Sequence, residues 1–298
     1  MKPYRFHSIV VIFLLLSVLI LAEEEEKDLF IVESINTDEN STHIDEIDVH
    51  SIQIYDPKFD TKIISGYEAK PNQFPHQVAI FIFGYSGRVL FCGGSVISTE
   101  YVITAAHCIF EKPKRILVIM GTTRLMKYNK NEVRRDVQRY IIHKWFDRSS
   151  LRNDICLLQL RGPIKYTRSI SPIALPNMAD IHKNYLNSIA TVSGFGKTSD
   201  DGTTSKRLMF IELNIMDNQM CNDWFEDRDA IYTNICTSGS NGRGACQGDS
   251  GGPLVIGDKL IGLVSYGARY CSWGYPTVYT RVPSYIKWIT SYTNIPLH

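Results

Sequence analysis

From Ile63 onward, short apolar runs alternate with Gly, Pro, Asn and charged residues. The runs cover residues 77–83, 89–91, 95–97, 101–104, 115–120, 154–159, 189–193, 208–215, 253–256, 259–265 and 277–281. They are rich in Val, Ile, Phe and Tyr and are closed by turn residues, so they predict strands. Many short strands at even spacing predict an all-β barrel or sandwich. Residues 161–177 carry Pro163, Pro172 and Pro176 and read as a linker between two β units. Only the tail has helical periodicity. Behind Pro283 and Ser284, Tyr285, Trp288, Ile289 and Tyr292 recur at spacings of three or four, which predicts a terminal helix over 283–293.

The first 62 residues follow a different pattern. Lys2 and Arg5 precede an almost wholly apolar run, 8–21, and Ala22 is followed by four glutamates. That order predicts a secretory signal over 1–22. The rival reading, a membrane anchor, suffers from a run too short to cross about 30 Å of hydrocarbon. With no later span of that kind, a soluble mature chain is expected. Residues 23–62 hold 13 acids, three bases and no cysteine, so a flexible acidic segment is expected there. Asn40-Ser41-Thr42 within it is a glycosylation sequon.

The formal charge of +1 therefore conceals a split, with −10 on 23–62 and +9 on 63–298. The basic residues of the body are scattered, apart from a modest cluster over 124–139, with no interleaved aromatic platform. This argues against a nucleic-acid surface. Secretion places the seven cysteines in an oxidising compartment, where they pair, and an odd count leaves one over.

Three motifs carry candidate chemistry. In Gln247-Gly248-Asp249-Ser250-Gly251-Gly252-Pro253, glycines flank the serine on both sides. Such a loop can aim several backbone N–H groups at one point and leave Ser250 exposed. In Thr104-Ala105-Ala106-His107-Cys108, small neighbours allow the imidazole to pack at a seam. Asn153-Asp154-Ile155 puts an acid at the head of an apolar run, where a buried carboxylate needs partners. Taken singly, each has a plainer reading as a glycine-rich turn, a structural histidine or a strand-initiating surface acid.

Together, in this order, they resemble the chymotrypsin/trypsin family of serine proteases over residues 63–298. Further matching motifs are Ile63-Ile64-Ser65-Gly66, Ser193-Gly194-Phe195-Gly196 and Ser265-Tyr266-Gly267. The spacings also fit, with 47 residues from His107 to Asp154 and 96 from Asp154 to Ser250. The resemblance implies two antiparallel six-stranded β-barrels packed together with a C-terminal α-helix. It implies a triad of Ser250, His107 and Asp154, and an oxyanion hole from the amides of Gly248 and Ser250. Ser265, Tyr266 and Gly267 would pair with substrate backbone.

The same resemblance implies a zymogen. Cleavage after Lys62 by an activating protease would free the amine of Ile63 to pair with Asp249. Three bridges are implied, Cys92–Cys108, Cys221–Cys236 and Cys246–Cys271, leaving Cys156 as a buried, inert thiol. The base of the specificity pocket falls on Gly244 and Ala245, opposite Thr277, with Gly267 at its entrance. No acid stands there to meet a substrate Lys or Arg, so cleavage after apolar residues is expected. The implied partners are protein or peptide substrates and protein inhibitors, acting on a secreted monomer without cofactor, metal or membrane. The loop 121–133, where some relatives bind calcium, holds one acid, Glu132. The alternative is a non-catalytic homologue acting as a binding or cascade protein. Such relatives usually lack a triad member, and all three are present here.

Overall fold

The structure is a computed structural model that describes residues 66–296, apart from 86, 110–111, 128 and 226–228. The expected signal (1–22), the acidic segment (23–62) with Asn40 and Lys62, and Ile63 lie outside the described residues.

Strand pairing produces two closed barrels. The first contains β2 (Gln77–Phe83), β3 (Val89–Val96), β4 (Tyr101–Thr104), β5 (Arg115–Met120), β6 (Val133–Ile142) and β7 (Cys156–Leu160). These close in the order β2-β3-β4-β7-β6-β5. The second contains β8 (Ile189–Gly194), β9 (Met209–Met216), β10 (Asn234–Thr237), β11 (Pro253–Ile256), β12 (Lys259–Tyr266) and β13 (Thr277–Arg281). It runs β9-β10-β13-β12-β11-β8 and closes where β8 returns to β9. A two-residue strand, β1 (Tyr67–Glu68), pairs on β9. Every described ladder is antiparallel.

Period-2 alternation explains why fully apolar strands suit this architecture. Along β2, Val78, Ile80 and Ile82 enter one core cluster, while Ala79, Phe81 and Phe83 enter another. Along β7, Cys156, Leu158 and Leu160 fill the first barrel. Ile155 and Leu157 face the other way, into a cluster shared with Leu260 and Leu263 of β12 and with Ile286 and Ile289 of the tail. Both faces of these strands are dry, so no polar positions are required. Cys156 is fully buried and unpaired, and burial pushes its thiol well above the ordinary range.

Several expectations need correction. The two runs expected at 89–91 and 95–97 fall in one strand, Val89–Val96, because Gly93 and Gly94 lie within β3 and do not end it. A Cβ on Gly94 would stand 2.8 Å from Ile80 Cδ1, and one on Gly93 would stand 3.0 Å from Gly252 Cα. Both glycines therefore allow close packing. Strand β6 was hidden by its charges, Arg134, Arg135, Asp136 and Arg139. It is a full member of the barrel, paired with β5 and β7. A short helix, Asn218–Asn222, contradicts a tail-only helical content. Its N-cap is Asp217, whose carboxylate accepts from Gln219 N–H at 2.8 Å. The terminal helix is Ile286–Thr293, since Pro283 belongs to a preceding 3₁₀ turn, Val282–Tyr285.

Truncating Leu158, fully buried in the first barrel, to Ala is expected to cost about 2–5 kcal/mol in urea unfolding. The same change at exposed Leu186 is expected to stay within about 0.5 kcal/mol. Equal midpoints for the two variants would contradict the packing described.

Candidate active site

His107 sits in a 3₁₀ turn, Ala106–Cys108, directly after β4. Ala105 and Ala106 are fully buried beneath it, and Cys108 is bonded to Cys92 of β3. Small side chains and a covalent tether thus fix the turn against the first barrel.

Asp154 has no solvent exposure. It follows a tight approach in which Leu151 and Asn153 both take positive φ, 51° and 56°. The Asn153 side chain anchors that turn, donating to Trp145 O at 2.8 Å and accepting from Tyr285 Oη at 3.1 Å. The Asp154 carboxylate accepts from the His107 backbone N–H at 2.8 Å and meets His107 Nδ1 at 2.7 Å. Ser265 Oγ donates to it at 2.6 Å. Thr280 Oγ1 donates to the Asp154 carbonyl at 2.7 Å. A buried acid is satisfied here by donors from both barrels. An ionised carboxylate can only accept, so Nδ1 holds the ring proton and Nε2 is left as the basic nitrogen.

Ser250 lies in a loop between Cys246 and β11. Gly248 and Gly251 take φ of 96° and 74°, a region that disfavours side chains. The Ser250 carbonyl accepts from Gly93 N–H at 2.8 Å and stands 3.8 Å from Cys108 Sγ. A Cβ on Gly251 would collide with Thr104 Oγ1. The serine loop of the second barrel is therefore pressed against the strand end and turn that carry His107. His107, Asp154, Ser250 and Ser265 converge at one seam.

Asp249, next to Ser250, is also fully buried. Its carboxylate accepts from Gly196 N–H at 2.7 Å and Cys246 N–H at 3.0 Å. Burial pushes its pKa up to about 6, against the pull of these two bonds. A Cβ on Gly194 or Gly196 would strike this carboxylate. The Ser193–Gly196 motif is thus a cradle for Asp249, a role the sequence pattern did not reveal.

Beside the serine loop, Gly244 is buried, and a Cβ there would stand 3.1 Å from Thr277 Oγ1. Thr277 is buried, and two residues on, the Tyr279 hydroxyl meets Thr237 Oγ1 at 3.2 Å. The Thr237–Tyr279 contact was invisible in the sequence because its members come from β10 and β13. Ala245 is half-buried, and Tyr266 packs edge-on against Phe225 at 5.5 Å. Gly267 is exposed, with nothing nearer its Cβ position than Pro276 O at 3.7 Å. Cys246–Cys271 ties the rim of this region, and Cys221–Cys236 links the short helix to β10. Lys62 and Ile63 lie outside the described residues.

Cys92, His107 and Cys108 cluster as metal ligands would. The two sulfurs are bonded to each other, so no thiolate is available to a metal.

The profile of the trypsin family matches residues 63–289. Chymotrypsin of Phaedon cochleariae is 38% identical over 233 residues, covering 78% of this chain and 82% of that protein. Brachyurin of Leptuca pugilator is 34% identical over 240 residues, covering 78% of this chain and 99% of that protein. A solved structure of HL collagenase superposes with a TM-score of 0.73 at 32% identity, covering 78% of this chain and all of the other. With two closed barrels, His107 held on buried Asp154 and this extent of likeness, the chain belongs to the trypsin family of serine proteases.

Proposed function

We propose that this protein is a secreted serine endopeptidase, made as a zymogen, that cleaves peptide bonds after apolar residues. The observation that carries the reading is the two-point hold of Asp154 on His107, through the backbone N–H and Nδ1. That hold leaves Nε2 as a base beside the loop of Ser250.

Serine hydroxyl is a weak nucleophile at neutral pH and needs such a base. His107 Nε2 takes the Ser250 proton as Oγ attacks the scissile carbonyl, then returns it to the leaving amine. Water repeats the sequence on the acyl-enzyme. Asp154 holds the ring and stabilises the imidazolium. The amides of Asp249, Gly251 and Gly252 are bonded to Cys246, Val264 and Asp249 carbonyls. The amides of Gly248 and Ser250 are assigned to the developing oxyanion, each worth roughly 3 kcal/mol. Ser265, Tyr266 and Gly267 offer an edge for the substrate backbone.

Cleavage after Lys62 would release the Ile63 ammonium, and Asp249 is its proposed partner. A carboxylate held above its ordinary pKa by burial gains most from a cation. Gly244, Ala245 and Thr277, the proposed base of the specificity pocket, offer hydroxyl and apolar groups but no charge, which supports apolar substrate residues. A Lys or Arg there would lose water without gaining a counter-ion. The apolar run at 8–21 supports secretion, and protein inhibitors that mimic substrates are expected partners.

Three outcomes are expected. Ser250→Ala lowers kcat roughly 10⁶-fold and abolishes labelling by a fluorophosphonate, with unchanged thermal melting. Thr277→Asp raises kcat/KM for Lys or Arg relative to Leu at least about tenfold, and an unchanged ratio on a peptide library would refute the pocket assignment. Finally, Asp249 in the uncleaved chain is raised to about 6, so the folded state keeps its proton longer than the unfolded chain. This contribution is full below about pH 4 and is lost as pH rises to about 6, a decline of about 3 kcal/mol. Urea melts across that range should lose this slope in Asp249→Asn.

A further inference from the structure

Among the described residues, four exposed asparagines take a left-handed backbone: Asn72, Asn187, Asn241 and Asn294, with φ of 65°, 61°, 63° and 53°. Asparagine is one of the few side chains that tolerate this region. The residue that follows separates the four. After Asn72 and Asn187 the next amide is held, since Gln73 N–H donates to Lys70 O at 3.1 Å and Ser188 N–H to Tyr185 O at 2.9 Å. Asn294 is followed by Ile295, whose branched side chain crowds its own nitrogen. Asn241 is followed by Gly242, with φ of 64°. A Cβ on Gly242 would stand 2.7 Å from Ser272 O, so the turn requires glycine there. Among the described residues the Gly242 N–H donates to no acceptor, and the Asn241 side chain makes no hydrogen bond. The bond that closes the turn, Arg243 N–H to Gly239 O, is at the long end of the range at 3.2 Å.

An asparagine amide beside a bare, unbonded backbone nitrogen is open to attack by that nitrogen. We propose that Asn241 is a site of spontaneous deamidation in the folded protein. The Gly242 nitrogen gives its proton to a solvent base as it bonds to Asn241 Cγ. The side-chain nitrogen takes up a proton and leaves as ammonia, and a succinimide ring remains. Water then adds to either ring carbonyl and breaks one C–N bond, giving aspartate or isoaspartate. No oxidant or cofactor enters. Asn241 lines a groove of about 320 Å³ with Glu212, Ser240 and Arg243, so water reaches the ring. Closure needs the Gly242 nitrogen to swing toward Cγ, and no hydrogen bond restrains it. Closure at Asn72 or Asn187 would first break one. Either product sets a carboxylate three residues before Gly244, the proposed base of the specificity pocket. Isoaspartate also lengthens the backbone of that loop by one carbon. The reaction needs no protease activity, so it stands apart from the function proposed above.

The test is incubation of the intact folded chain at mildly alkaline pH, followed by digestion in acid and peptide mass mapping. The peptide that holds Asn241 should gain the mass of an amine replaced by a hydroxyl. It should do so at least about tenfold faster than the peptides that hold Asn72, Asn187 or Asn294. The same peptide should become a substrate for isoaspartyl methyltransferase. Mildly acidic incubation, which keeps the attacking nitrogen protonated, should slow both changes. Asn241→Gln keeps an amide but would have to close a larger ring, so it should lose both signals with thermal melting unchanged. Product that forms only in urea would show that the turn locks Asn241. That result, equal rates at the four asparagines, or methylation of this peptide that persists in Asn241→Gln would each overturn the proposal.

Discussion

A carboxylate shut off from water between two barrels must be satisfied by protein alone, and Asp154 is satisfied by groups from both sides of the seam. His107 donates from the first barrel, Ser265 from β12 of the second. Thr280 of β13 fixes the Asp154 carbonyl. In a medium of low dielectric each of these bonds is strong, and each would be costly to leave half-made. The network therefore sets the relative position of the two barrels as well as the orientation of one imidazole. Apolar packing of Ile155, Leu157, Leu260 and Leu263 brings the barrels together without fixing that position so closely.

The serine loop depends on the same seam from the other side. Gly93 of β3 contacts Gly252 and donates to the Ser250 carbonyl, so one barrel supplies the wall against which the other barrel's loop is shaped. The Cys92–Cys108 bridge tethers that wall to the histidine turn. Leu151, Asn153, Gly248 and Gly251, which take positive φ, shape the backbone on both sides of this junction. Asp249 is the exception to the self-sufficiency of the seam. It is buried and bonded to two amides, yet faces no cation among the described residues, so it is suited to receive one.

Much of this was legible from the chain. Strands such as Gln77–Phe83 and Pro253–Ile256 have apolar, β-branched character that needs no context. Strand β6 was not legible, because Arg134, Arg135 and Arg139 make it look like surface coil. Its ladder partners on both sides hold it in place. Glycine also misled where it served packing, as at Gly93 and Gly94 inside β3. The expected cysteine pairs are present, but their choice came from resemblance, since six cysteines allow 15 connectivities.

Local order and composition by themselves determined the all-β class and the charge split between 23–62 and the body, while the two barrels and the candidate triad came from the resemblance carried by the order and spacing of the motifs. The first two are properties of neighbours along the chain, and pattern and propensity record them directly. Tertiary structure alone decided that Gly194 and Gly196 cradle Asp249, that the Thr237 and Tyr279 hydroxyls meet, and that Glu68 bridges Arg124 and Arg207. Each of these joins groups tens of residues apart, and strand register, which no local signal specifies, determines whether they meet.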